Sequence, residues 1–173
     1  GMLLSSLPVT SLIETADLLT TIPQEGNTYV ASLPALEVLE EARSLSQYFN
    51  NQTIQIGYCN GRNTTINGAE YHKSPELFIA VTDCLQFLTP FSHLKDFKSL
   101  NTNDAELFYF PKGSAALIKE KVLHLSPVCA HTQGFKSIII LPKGTNESLQ
   151  PGYVDPSENS AEAKLLFKQN KWI

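Results

Sequence analysis

Within the ten residues from Asn67 to Glu76 the chain sets one histidine and two carboxylates, His72, Glu70 and Glu76, between strand-like runs. Imidazole nitrogen and carboxylate oxygen are donors that hold divalent first-row ions or work as acid and base. Glu70 and His72 are two residues apart, so on a strand both point to one face. Their Cα atoms then stand about 6.6 Å apart, and the side chains can converge on one ion. Glu76 keeps that parity, but four residues of straight strand would carry it about 13 Å from His72, outside one coordination sphere. Ser74-Pro75 removes the objection, because proline interrupts a ladder and lets the chain turn, returning Glu76 on the neighbouring strand opposite His72.

A second histidine, His124, lies in the apolar run Val122-Leu123-His124-Leu125. A histidine among aliphatic residues is more often a satisfied core residue than a ligand. The cluster upstream changes that balance, since metal sites recruit imidazole and carboxylate from several strands. Glu120 shares the face of His124 but is about 13 Å away along a strand, so His124 is the candidate fourth ligand. His93 and His131 stand in polar, loop-like contexts and are set aside. Tyr71 points away from Glu70 and His72 and reads as a packing aromatic.

The elements that must position these residues are mostly short strands. Strand-like segments run over 53–58, 69–73, 76–81, 84–88, 106–110, 115–125 and 135–141, separated by turn signals such as Asn67-Gly68, Ser74-Pro75, Pro111-Lys112-Gly113 and Pro142-Lys143-Gly144. Many short strands at close spacing point to an all-β sandwich or barrel. Ahead of them, residues 8–22 read as a short helix. Ser11 and Glu14 have capping-box spacing, and Leu12, Ile13, Ala16 and Leu19 form the apolar stripe. A second helix is expected over 34–49, with Val38, Leu39, Ala42, Leu45 and Phe49 on its buried face. Both helices are expected to pack outside the strands. The loop at 145–161 is a candidate lid. The terminal Lys171-Trp172-Ile173 is expected to pack on the body of the fold or on a second copy in a homodimer.

The 173 residues suit one domain, 1–173, with a helical N-terminal extension over 1–50 and a β-barrel with a C-terminal segment over 51–173. With 42% hydrophobic and 17% charged residues the composition is that of a globular protein. No apolar run reaches the ~20 residues that span a bilayer, and the first residues do not read as a signal peptide. A formal net charge of -4, with 13 basic residues scattered along the chain, leaves no footprint for nucleic acid or anionic lipid. Cys59, Cys84 and Cys129 are odd in number and without a Cys-x-x-Cys pair, which argues against a disulfide framework or thiolate zinc site and for a cytoplasmic location.

Glu70-x-His72-x3-Glu76, followed about forty residues on by Phe110-Pro111-Lys112-Gly113, resembles the two short motifs of cupins. Gly57-Tyr58-Cys59-Asn60-Gly61, Ala80-Val81-Thr82-Asp83, Leu123 to Cys129, Leu141 to Asn146 and Asn170-Lys171-Trp172 look like a bacterial family of cupin-fold proteins of unassigned function. The likeness runs from Ile54 onward and extends distantly to ureidoglycolate lyase and to cupin-fold sugar and uronate isomerases. It implies a mainly β, cupin-like double-stranded β-helix, a jelly-roll barrel with the N-terminal helices packed outside. In cupins the first motif begins with histidine where this chain has Glu70, and the second-motif histidine would fall at Ala116.

The leading expectation is a metal-dependent isomerase or lyase acting on a small polar hydroxy-carbonyl metabolite: a sugar, sugar acid or ureido acid. A divalent ion on Glu70, His72, Glu76 and His124 would serve as Lewis acid, with manganese, iron, nickel and zinc all admissible on O and N donors. The general base is not identified. A second reading is a non-catalytic module that holds a sugar or small acid in a cavity walled by Phe78, Phe87, Phe108 and Phe110. A third makes Glu70 and His72 a buried structural pair in a protein that works through oligomer contacts.

Overall fold

The structure is a computed structural model that describes residues 2–4, 7–153 and 161–173. Twelve strands are seen among them. The first ten are β1 (Met2–Leu3), β2 (Asn27–Val30), β3 (Ile54–Gly61), β4 (Glu76–Ala80), β5 (Cys84–Pro90), β6 (Glu106–Phe110), β7 (Ala115–Ile118), β8 (Val122–Leu123), β9 (Val128–Cys129) and β10 (Phe135–Pro142). The last two, β11 (Leu166–Lys168) and β12 (Lys171–Trp172), form a separate hairpin. A six-stranded sheet has the order β1-β7-β4-β10-β3-β2, and a smaller one has the order β6-β5-β8 with β9 also on β5. Every pairing between these strands is antiparallel. This is the mainly β jelly-roll architecture, with helices outside, that the cupin resemblance implies.

The alternation along β4 and β10 explains how the large sheet is buried on both faces. Leu77, Ile79, Ile138 and Ile140 point to a core shared with Leu12, Leu36 and Leu45 of the helical segment. Phe78, Ala80, Ile139 and Leu141 point the other way, into the interior between the sheets with Phe110 and Phe135. Period-2 strands with apolar residues on both faces need a cover on each side, and the N-terminal helices supply one. Glu76 has the parity of Phe78 and Ala80, so it opens β4 on the interior face.

Three local expectations are corrected. The first helix, α1 (Thr10–Leu19), has no side-chain cap of its own. Its first donors, Ser11 N and Leu12 N, are instead met at 3.0 Å each by the two carboxylate oxygens of Glu41. The helix expected over 34–49 is broken into α2 (Pro34–Glu37), α3 (Glu40–Leu45) and a 3-10 turn at Ser46–Phe49, and Val38 is 74% exposed at the break. Glu37 is drawn away at that point, accepting hydrogen bonds from Ser32 Oγ and Ile56 N. The strand expected over 115–125 divides at Lys119–Lys121, where Lys121 takes φ +58° and the chain passes from β7 in the large sheet to β8 in the small one.

The segment 1–50 is not a purely helical extension, since β1 and β2 form the two edges of the large sheet. Close approach fixes the residues there: a Cβ on Gly57 of β3 would lie 1.8 Å from Val30 O on β2. Among the described residues no helix is long and apolar enough to cross a membrane.

Candidate metal centre

Residues 69–73 do not form a regular strand, but two isolated bridges set their register. Glu70 pairs with His124, with Glu70 N donating to His124 O at 2.6 Å and His124 N to Glu70 O at 2.9 Å. Directly opposed residues of an antiparallel pair present their side chains on one face, which joins residues distant in sequence. The next residue, Tyr71, pairs with Trp172 and stacks on it at 5.6 Å, with Phe91 against its edge. His72 returns to the Glu70 side. The chain bends at Ser74-Pro75, and β4 begins at Glu76 with the histidine still within reach.

All four residues singled out in the sequence therefore meet. Glu76 Oε2 lies 3.5 Å from His72 Nε2 and 3.4 Å from His124 Nε2. Glu70 Oε1 is 4.0 Å from His72 Nε2. One donor atom from each of Glu70, His72 and His124 lies within 4.8 Å of the other two. Ligand atoms that share an ion at about 2.1 Å stand about 3 to 4 Å apart, the spacing of the three contacts at 3.4, 3.5 and 4.0 Å, so a divalent ion would need to draw in only the widest separation of this set. Glu120 is exposed. His93 and His131 form surface pairs with Asp104 and Asp83.

The tautomers follow from the backbone. His72 Nδ1 lies 2.6 Å from Asn170 O, and His124 Nδ1 lies 2.8 Å from Val122 O. A carbonyl only accepts, so each Nδ1 carries a proton, and in the neutral ring each Nε2 is left with its lone pair. Both Nε2 atoms are buried, and neither finds a hydrogen-bond partner among the described residues. Buried nitrogen lone pairs facing one spot beside carboxylates, with the opposite ring nitrogens held by carbonyls, are the arrangement of metal-ligating imidazoles.

The charges agree. Burial opposes ionisation of Glu76, but His124 and His72 outweigh it and hold the carboxyl far below its ordinary 4.5. Burial likewise disfavours a charged His124, yet Glu76 and then Glu70 raise it from 6.5 to about 9. Two carboxylates around two imidazoles demand positive charge, which a proton on His124 or a cation between the rings satisfies.

Sequence reasoning missed the C-terminal contribution to this centre. Lys171 forms an ion pair with Glu70 Oε2. Asn170, at φ +52°, accepts from Lys73 N through Oδ1 and donates through Nδ2 to Ser74 Oγ and Thr145 Oγ1. The signal was present only as the triplet Asn170-Lys171-Trp172, whose spatial neighbours are about a hundred residues away.

A cavity of about 230 Å³ opens beside the cluster, lined by Glu70, Glu76 and His124 together with Tyr29, Cys59, Gln86, Asn146 and Lys171. Its apolar wall is Leu125, Pro127 and Ile139 rather than the expected phenylalanines. Phe78 and Phe110 pack edge to face in the interior core, and Phe108 is exposed. Burial, with Glu76 and Glu70 nearby, pushes the Cys59 thiol up to about 12, so it is no nucleophile. Burial also raises the Tyr29 phenol, which stays protonated. Of the loop expected as a lid, Asn146 lines the cavity, while 154–160 lie outside the described residues.

No curated protein matches the chain. Among solved structures, a cupin domain from Bordetella pertussis is 12% identical, with 68% of this chain and 94% of that one covered and a TM-score of 0.42. The cobalt(II) form of HppE is 13% identical, covering 72% and 57%, with a TM-score of 0.42. Bacillus subtilis oxalate decarboxylase, in a study of its Mn(II) centres, is 11% identical, covering 56% and 23%, with a TM-score of 0.38. The chain thus spans under two thirds of HppE and under a quarter of the decarboxylase. The family model for the domain of unknown function DUF4867 matches residues 1–173, and the chain belongs to that family.

Proposed function

We propose that Glu70, His72, Glu76 and His124 hold one divalent ion and that the protein is a metal-dependent enzyme, an isomerase or lyase of a small polar hydroxy-carbonyl metabolite. The observation that carries this reading is the pair of buried Nε2 atoms on His72 and His124, which find no hydrogen-bond partner among the described residues and face Glu76, in rings fixed by a backbone carbonyl at Nδ1. Manganese, iron, nickel and zinc all suit the oxygen and nitrogen donors. A bound ion would supply Lewis acidity to a substrate carbonyl or hydroxyl oxygen.

The chain's own residues do the rest. Lys171 fixes the orientation of Glu70 through Oε2, leaving Oε1 toward the histidines. Tyr29 lines the cavity with its hydroxyl 2.8 Å from the Asn146 carboxamide, which places a polar pair where a substrate oxygen can meet it. Leu125, Pro127 and Ile139 limit water at the bound molecule. The inert Cys59 thiol removes covalent thiol chemistry from the candidates.

A non-catalytic binding module is the second reading, favoured by the cavity lining itself. Apart from Glu70, Glu76 and His124, its titratable groups among the described residues are Tyr29, Cys59 and Lys171, and the first two stay protonated.

Metal analysis of the purified protein tests the first reading against a His72→Ala, His124→Ala double variant. We expect one ion per chain in the wild type and none in a variant that keeps its circular dichroism. A wild type that is metal-free and takes up none of the four ions on addition overturns the proposal. Turnover on a panel of sugar phosphates, uronates and ureido acids then separates enzyme from binding module.

A further inference from the structure

Gln86, which no feature of the sequence singles out, lines the cavity beside the ion cluster and is 2% exposed. Its Nε2 donates to Leu125 O at 2.7 Å and to Phe87 O at 3.4 Å. These two acceptors fix which end of the carboxamide is nitrogen. Its Oε1 is buried and finds no donor among the described residues. Asn146, on the same cavity, also leaves one end of its carboxamide unpaired among the described residues, though its hydroxyl partner on Tyr29, unlike the two carbonyls at Gln86, does not fix which end that is. A buried acceptor without a donor is costly, and a ligand hydroxyl removes that cost.

Charge selects the other end of the ligand. Among the described residues Lys171 is the one lysine or arginine that lines the cavity. A divalent ion would balance the charge of Glu70 and Glu76, so with both imidazoles as neutral ligands the lining keeps one net positive charge, carried by Lys171 even though its ammonium also contacts Glu70 Oε2. An anion fits that place and a cation does not. The cavity is smaller than the roughly 300–1,000 Å³ of drug-sized pockets, which confines the ligand to a small metabolite.

We infer that the cavity takes a small hydroxy acid, with its carboxylate against Lys171 and a hydroxyl hydrogen-bonded to the carboxamide oxygen of Gln86. The inference rests on the metal reading above, because without the ion Lys171 and a proton on His124 only balance the two carboxylates and leave no positive charge over for an anion. Gln86 is then the residue that distinguishes a hydroxy acid from a plain carboxylic acid. A site whose buried acceptor is left unpaired discriminates strongly against the analogue that lacks the hydroxyl.

The test is calorimetric titration of ion-loaded, metal-analysed protein with D-gluconate and D-glycerate, against hexanoate and propionate, which lack hydroxyls, and glucitol and glycerol, which lack the carboxylate. The hydroxy acids are expected to bind at least about tenfold more tightly than either control set. Gln86→Leu should reduce gluconate binding to the level of hexanoate, with ion content and hexanoate binding unchanged. Lys171→Met should reduce it to the level of glucitol. Should a variant fail to fold, the wild-type comparison alone decides. An ion-loaded wild type that binds hexanoate as tightly as gluconate, or binds neither, overturns this inference and leaves the metal reading standing. A wild type that accepts no ion overturns the metal reading and this one with it.

Discussion

The backbone carbonyl of Asn170 accepts the Nδ1 proton of His72 at 2.6 Å, across 98 positions of chain. The orientation of this imidazole is thus set by a hairpin remote in sequence, and the side chain of Asn170 ties that hairpin to Lys73, Ser74 and Thr145. Asn170→Ala removes these ties and forces alanine into a left-handed conformation that costs an L-residue about 1–2 kcal/mol. We expect a lower melting temperature and weaker ion binding in chelator competition. Asn170→Gly, which accepts the positive φ, should recover part of the stability but not the affinity. Unchanged affinity in both variants would show that His72 is held by other means.

Glu76 is buried between two imidazoles, and its removal exposes the coupling among them. In the ion-free protein Glu76→Gln should cost on the order of 3 kcal/mol, because it leaves charge on His124 without its partner. His124 should titrate at a lower pH than the value of about 9 it has beside Glu76, which a proton NMR titration reads directly. An unmoved His124 would discard the coupling.

The same pair sets the pH dependence of the ion-free protein. His124 is raised on folding, so its contribution is fully present below 6.5 and is lost as pH rises through about 9. Glu76 is depressed on folding, so its contribution is present above 4.5 and is lost on acidification toward its low native value. Urea unfolding without metal should therefore show this pair's full effect between pH 4.5 and 6.5 and a decline by pH 9. On the metal reading, an ion would compete with the His124 proton and bind more tightly as pH rises from 6.5 to 9, so adding it should reverse the alkaline limb. Matching alkaline limbs with and without ion would speak against His124 as a ligand.

Removal of the ion by chelator should lower the melting temperature reversibly. Saturation at a thousandfold excess over the dissociation constant contributes about 4 kcal/mol, and re-addition restores it. The double histidine variant should show no such response in differential scanning calorimetry.

Glu41 caps a helix that precedes it by about thirty residues. Glu41→Ala should cost about 1–2 kcal/mol in chemical denaturation, while Glu41→Gln retains an acceptor and costs less. An equal loss in both would assign the effect to charge alone.

What the sequence made legible was local. The shared parity of Glu70 and His72, the interruption at Pro75 and the alternation along 76–80 are consequences of a two-residue repeat, visible without a partner strand. The join of Glu70 to His124 was not visible, because it depends on where Lys121 turns the chain from one sheet to the other. Lys171 and Gln86 were hidden for the same reason. Each acts through a neighbour far along the chain, and neither has an unusual local context. Val38 misled because helical periodicity continues through the break that Glu37 makes by bonding to Ile56.

During synthesis, residues 54–142, which carry the central strands of both sheets, are made about thirty residues ahead of the hairpin at 166–172. At roughly 5–20 residues per second that interval lasts a few seconds. Throughout it Tyr71 has no Trp172 to stack on and His72 no Asn170 carbonyl to orient it, so the sheets can close before this imidazole is aimed. An ion held as proposed would then load only once the hairpin has docked.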